Sequence, residues 1–151
     1  MSVVLRKAEG IDAKAMAAIL QGWLEATPWM PVLHTLDDTE AFCGHLVKTT
    51  DCWVAEEAKR VSGFLARDKD WFTAIYLAPD ARGQGIGRAL LAEAMLGRDV
   101  LQLWCFQSND GARRFYERHG FDVEEVTDGA GNDEKLPDIR FVWRSAQRVS
   151  P

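Results

Sequence analysis

RGQGIGRALLAEAM, Arg82 to Met95, places three alternating glycines within five residues and then runs into an apolar helix. Glycine costs up to ~1 kcal/mol in a helix relative to alanine, so a turn or a ligand touching the backbone must need it here. A helix beginning near Gly85 exposes N–H groups with no helical partner, at the positive end of its dipole. Glycines at that point let an anion reach the backbone, which is how a phosphate is held. Arg82 and Arg88 add positive charge. Two familiar phosphate loops do not fit. No G-x-x-x-x-G-K-[ST] run is present, and G-x-G-x-x-G fails because the sixth place from Gly83 is Arg88 and from Gly85 is Leu90. The spacing present is Arg82-x-x-Gly85-x-Gly87. By themselves the glycines could equally serve only a tight turn and close helix–sheet packing.

The elements that must position this loop follow from periodicity. A short strand is read at Val3 to Arg6. A helix follows from Asp12 as N-cap, with Ile11 and Met16 placed as a hydrophobic staple, and Thr27-Pro28 stops it. A second helix runs from about Thr39 to Lys48, with Phe42 and Leu46 one turn apart. Residues 52–57 and 61–67 read as a hairpin, and 71–77 as a strand ending at Pro79. The glycine loop and its helix come next, then a strand at 101–106 and a helix from Asn109 to His119 with Gly120 at C′. Strands at 121–127 and 139–143 close the order β-α-α-β-β-β-α-β-α-β-β. The unit 71–106 is strand, helix, strand, and predicts a parallel pair in an otherwise antiparallel, mixed sheet with flanking helices, an α/β (α+β) fold.

Bulk properties bound the function. The 151 residues suit one domain over 1–151, with 47% hydrophobic and 27% charged residues. A net charge of −5 gives no basic field for nucleic acid or an anionic membrane. No apolar run reaches bilayer length, and the opening MSVVLRKAEG is charged too early for a secretory signal, so a cytoplasmic protein is expected. Cys43, Cys52 and Cys105 show no metal-ligand spacing and read as free thiols; no metal is expected.

The R-x-x-G-x-G loop after a strand, followed by a second strand and NDGARRFYERHGF, closely resembles the GNAT superfamily of N-acetyltransferases. The downstream block reads Asn109, Ala112, Phe115, Tyr116, Gly120 and Phe121. The resemblance covers most of the chain and is strongest from Ile75 to Val123. It implies a GNAT-like fold whose two parallel strands, here 71–77 and 101–106, splay apart to admit the pantetheine arm of acetyl-CoA. Backbone groups of Ile75, Tyr76 and Leu77 would bind that arm, and an N–H near Leu77 would stabilise the oxyanion as an amine attacks. Amides of the loop Gly83, Gln84, Gly85, Ile86, Gly87 and Arg88, with the Arg82 charge, would hold the pyrophosphate. Asn109 would bond to the arm, with Ala112 and Phe115 completing that half; helix capping is the simpler reading of Asn109. Tyr116 would be the general acid that protonates the departing thiolate, although Ala112, Phe115, Tyr116 and His119 also share one face, as core residues do.

The resemblance breaks at the base. Several family members carry a Glu on the strand before the loop; WFTAIYL has no carboxylate. His34, Asp37, Glu40 and Asp138 are candidates, or water alone. The regions that the resemblance makes the acceptor pocket, about 23–40 and 128–138, hold Asp37, Asp38, Glu40, Asp128, Asp133, Glu134 and Asp138 against Lys135, with Trp23, Trp29, Met30 and Leu33, and Trp71 as a further candidate. This implies a small or peptide amine as acceptor, attacked directly in a ternary complex; solvation of the loops is the alternative role for most of those acids. A homodimer stays open. The rival readings are an acyl-CoA-binding sensor of the same fold without catalysis, and an unrelated nucleotide-binding α/β domain.

Overall fold

The computed structural model describes residues 3–31 and 33–145. Among the described residues seven strands and four α-helices follow in the expected order: β1 Val4–Lys7, α1 Ala13–Glu25, α2 Leu36–Thr49, β2 Asp51–Glu57, β3 Arg60–Asp68, β4 Trp71–Leu77, α3 Ile86–Met95, β5 Val100–Phe106, α4 Asp110–Arg118, β6 Asp122–Thr127 and β7 Asp138–Arg144. Strand order in the sheet is β1-β2-β3-β4-β5-β7-β6. The chain forms two compact units. One holds the chain up to Lys69 together with Thr73–Leu96; the other holds Asp70–Phe72 and the chain from Gly97 onward.

In the first unit, β2 and β3 pair antiparallel through a two-residue turn in which Ala58 and Lys59 both have positive φ (51° and 64°). That is the turn a twisted hairpin requires, although neither residue is glycine. Both strands read as nearly continuous apolar runs because both faces are covered. Cys52, Val54, Phe64 and Ala66 join Met16, Ala17 and Leu20 of α1 and Cys43 and Leu46 of α2 in one core. On the opposite face Arg67 donates from Nη1 to the carbonyl of Ala94 in α3 (2.6 Å).

Local details depart from the sequence reading. Asp12 precedes α1 but does not cap it. Its carboxylate turns back, accepting from the Glu9 amide (2.7 Å) and from both terminal nitrogens of Arg6 (2.9 Å each). The expected staple is absent: Met16 is fully buried while Ile11 is 84% exposed. A charged pair inside the β1–α1 corner outweighed a contact worth a few tenths of a kcal/mol, roughly the scale of local side-chain pairs. α2 starts three residues earlier than expected, at a capping box in which Thr35 Oγ1 accepts from the Asp38 amide and Asp38 accepts from the Thr35 amide (3.1 Å each). Thr-x-x-Asp is the readable signal for it. Phe42 lies on the exposed side of α2 rather than in the core with Leu46.

In the second unit, β5 pairs antiparallel with β7, and β7 with the edge strand β6. The predicted parallel pairing is present at the start of β4, where Trp71 stands opposite Gln102 and the Gln102 amide donates to the Asp70 carbonyl (2.8 Å). β6 is exposed along most of its length. It carries Glu124 and Glu125, paired to Arg144 and Arg140 of β7, and such charges discourage edge-to-edge association.

Candidate active site

The glycine loop lies where the sequence places it. The end of β4 approaches β3 closely at Gly63: a Cβ there would stand 2.4 Å from Leu77 Cδ2 and 3.2 Å from the Tyr76 carbonyl oxygen. Sequence reasoning passed over Gly63, although a lone glycine inside a strand is the usual sign of close backbone approach. The Tyr76 ring packs inward against Trp23 and Phe64 (centroids 5.4 and 5.7 Å). Beyond β4, the Ala78 amide donates to the Ser62 carbonyl (2.8 Å) and one short helical turn spans Pro79–Ala81. Gln84 Nε2 then donates to the Asp80 carbonyl (2.7 Å), closing the loop on itself. Asp80 is engaged by Arg60 in a two-pronged pair (2.8 and 2.9 Å), which holds its carboxyl below the ordinary range and offsets its charge beside the loop.

Gly83 and Gly85 have φ of +75° and +83°, where a side chain is strained, and among the described residues nothing beyond their adjoining residues lies within 4 Å of where their Cβ would be. The turn therefore requires glycine, and Gly83 and Gly85 are exposed. Gly85 caps α3 with no side-chain bond, and the first helical bond runs from the Ala89 amide to the Gly85 carbonyl (3.0 Å). The amides of Ile86, Gly87 and Arg88 thus lie in the first turn, the segment that lacks helical acceptors. Arg82 Nη2 leans back to the Leu77 carbonyl (3.4 Å).

In the second unit, Asn109 caps α4: its Oδ1 accepts from the Ala112 amide (3.2 Å). The capping role is therefore real, and it leaves the Nδ2 donor for other work. Tyr116 is 7% exposed among the rings of Phe72, Phe115, Phe121 and Phe141, with centroids 5.5 to 6.2 Å away. Phe115 stacks edgewise on His119 (4.6 Å). Gly120 follows at φ +92°, the predicted helix stop.

The acids of the acceptor regions divide by what they bond. Asp38 is spent on the α2 cap and Asp128 Oδ1 on the Ala130 amide (3.0 Å), both local structural roles. His34 and Asp37 are exposed and Glu40 is half-buried. Asp138 alone among them is buried. Thr73, in the strand where other family members carry a Glu, donates its hydroxyl to the Ala66 carbonyl (3.0 Å). Cys43, Cys52 and Cys105 are free and buried, and burial pushes their thiols up to about 11, 12 and 12. Such thiols are poor nucleophiles. Among the described residues no group of three or more His, Cys, Asp or Glu could hold a metal ion, and no helix is long and apolar enough to cross a membrane.

A mixed sheet of this strand order, with a glycine-capped helix after β4, matches the GNAT-like fold that the sequence resemblance implies. Comparison with known proteins gives the family. The acetyltransferase (GNAT) domain model matches residues 48–123. The peptidyl-lysine N-acetyltransferase YiaC of Escherichia coli is 30% identical over 140 residues, 89% of this chain and 94% of that protein. An uncharacterized N-acetyltransferase of Methanocaldococcus jannaschii is 36% identical over 93 residues, 51% of this chain but only 41% of that protein's length. Among solved structures, apo YjaB of E. coli superposes with a TM-score of 0.78 at 22% identity, over 95% of this chain and 98% of that one. The yncA protein of Salmonella typhimurium, solved with its cofactor acetyl-CoA, gives 0.75 at 19% identity, over 100% and 98%. The chain belongs to the GNAT acetyltransferases. It is an acyltransferase.

Proposed function

We propose that the chain, acting as one domain in the cytoplasm, transfers an acetyl group from acetyl-CoA to a primary amine by direct attack in a ternary complex. The observation that carries the donor is the Gly83–Arg88 loop, where exposed Gly83 and Gly85 hold positive φ with open space around them, just before the first-turn amides of α3. These amides, with Arg82 and Arg88, hold the pyrophosphate. Backbone groups of Ile75, Tyr76 and Leu77 bind the pantetheine arm, with Asn109 Nδ2, Ala112 and Phe115 as further contacts. The Leu77 N–H faces the developing oxyanion. Tyr116 gives its phenolic proton to the leaving thiolate, so the sulfur departs as a neutral thiol while the amine forms the new C–N bond. β4 carries no carboxylate, so the ammonium proton leaves through water or to a residue outside that strand. A lysine side chain is the acceptor class favoured by the similarity to YiaC, a peptidyl-lysine N-acetyltransferase.

Calorimetric titration with acetyl-CoA tests the donor, with NADH and ATP as controls. Selective micromolar binding, about −8 kcal/mol, is expected. Equal binding of the controls, or none of the three, would overturn the reading. Acetyl transfer to any amine then separates the enzyme from a non-catalytic acyl-CoA sensor.

A further inference from the structure

The second unit has two unlike faces. Tyr116 of α4 packs on the side of Phe141. On the other side, strand pairing sets Trp104 and Phe106 of β5 beside Arg140 and Asp138 of β7, and Thr127 of β6 beside Asp138; directly opposed residues share a face. A cavity of about 480 Å³ opens there, lined by Trp104, Phe106, Thr127, Asn132, Glu134 and Asp138.

Asp138 is only 8% exposed. Its carboxylate accepts from the Thr127 hydroxyl and from Asn132 Nδ2 (3.1 Å), both neutral donors. Among the described residues no ion pair reaches it, and three cations of the same unit are engaged elsewhere. Arg140, on the same face, donates to Glu125 (3.1 Å) and Gln102 (2.7 Å). Arg113 donates to the Gln107 carbonyl (3.1 Å), and Lys135 to the Ala130 carbonyl (2.9 Å). Burying a carboxylate without a counter-charge is costly, and a cationic ligand would offset that cost.

The surrounding loop is tied in place. Asn132 clasps Leu136 in both directions (Nδ2 to the carbonyl, 2.7 Å; Oδ1 from the amide, 3.2 Å). The Gly129 amide donates to Thr127 Oγ1 (3.1 Å), and a Cβ on Gly129 would stand 2.2 Å from the Leu136 carbonyl oxygen. A carboxylate fixed this way is preorganised for one partner. Trp104, 45% exposed, and Phe106 offer aromatic surface to an aliphatic arm or a cation.

We propose that this cavity binds an ammonium group of the acceptor other than the amine acetylated, with Asp138 as its counter-charge and Glu134 as a second negative charge beside it. The reacting amine must be neutral to attack, and a stable ion pair with a carboxylate would keep it protonated; Asp138 is suited to the cation that does not react. The acceptor is then a diammonium species, either a free aliphatic diamine or a lysine next to a second lysine in a peptide. The inference rests on the acetyltransferase reading, and its test reads binding rather than turnover.

Two probe pairs are titrated by calorimetry: 1,5-diaminopentane against 5-amino-1-pentanol, and acetyl-Lys-Lys-amide against acetyl-Lys-norleucine-amide. The dication is expected to bind at least tenfold tighter in one pair, which also tells the free amine from the peptide. In Asp138→Asn that preference should fall to within twofold, with acetyl-CoA affinity unchanged. Should D138N lose its thermal transition, Glu134→Gln must still cut the preference about threefold. No preference in either pair, or one that survives in these variants, overturns the inference. Loss of acetyl-CoA binding in the unaltered protein instead overturns the function beneath it.

Discussion

The glycine loop and the Asp138 cavity are both proposed to meet a charged ligand, and by opposite means. The loop uses backbone amides at the start of α3, and its residues are contiguous from Arg82 to Arg88. The cavity uses side chains gathered from β5, β6, β7 and the loop between the last two. A backbone site tolerates change in side chains but not in backbone conformation. A side-chain site is the reverse: a single isosteric replacement removes its charge while the fold stays.

That contrast orders the tests. The largest effect is expected at Gly85, where φ is +83°. Gly85→Val should weaken acetyl-CoA binding at least a hundredfold in calorimetry, because a β-branched residue cannot hold that conformation. Amine binding should not change; if it did, the two regions would not be separable. Tyr116→Phe comes next. Loss of a general acid typically costs 10² or more, so kcat should fall about a hundredfold with little change in acetyl-CoA affinity. An unaltered kcat would return Tyr116 to its packing role among Phe72, Phe115, Phe121 and Phe141.

Stability changes outside both regions provide the controls. Hydrogen bonds from Arg6 hold the Asp12 carboxyl below its ordinary value of 3.8, against the opposing cost of burial. Its folded value is depressed, so the pair stabilises the protein above that unfolded value and ceases to do so as pH falls through the lower folded value. Asp12→Asn should lower Tm at pH 7, by roughly 2 kcal/mol of stability for the lost charged hydrogen bonds. It should also flatten the loss of stability at acid pH; an acid limb as steep as before would assign that limb to other carboxyls. Thr35→Ala should cost least, about 1 kcal/mol for a lost N-cap, read as a small drop in Tm with both ligand affinities unmoved.

Legibility followed the range of the interactions. The element order, α4 with its Asn109 cap and Gly120 stop, and the loop glycines were readable because each depends on residues a few positions apart. The α2 start was equally local, and Thr35-x-x-Asp38 marks it, although hydrophobic periodicity alone began the helix three residues late. Asp12 shows the limit: a cap by its neighbours, it is an ion-pair partner of Arg6 through a contact that closes only when β1 and α1 meet.

The acids near the chain's end show that limit most clearly. Asp128, Asp133, Glu134 and Asp138 look alike in sequence, and charge count alone makes them a solvated loop. Tertiary structure separated them: pairing of Asp138 with Phe106 and Thr127 buries one carboxylate and leaves the others at the surface or only partly covered. The sequence by itself determined the family, the order of elements and the glycine turn before α3, because local backbone preference and short motifs carry them. Only the tertiary structure decided which side chains are desolvated and what faces them, because burial and charge compensation depend on residues brought together from distant parts of the chain.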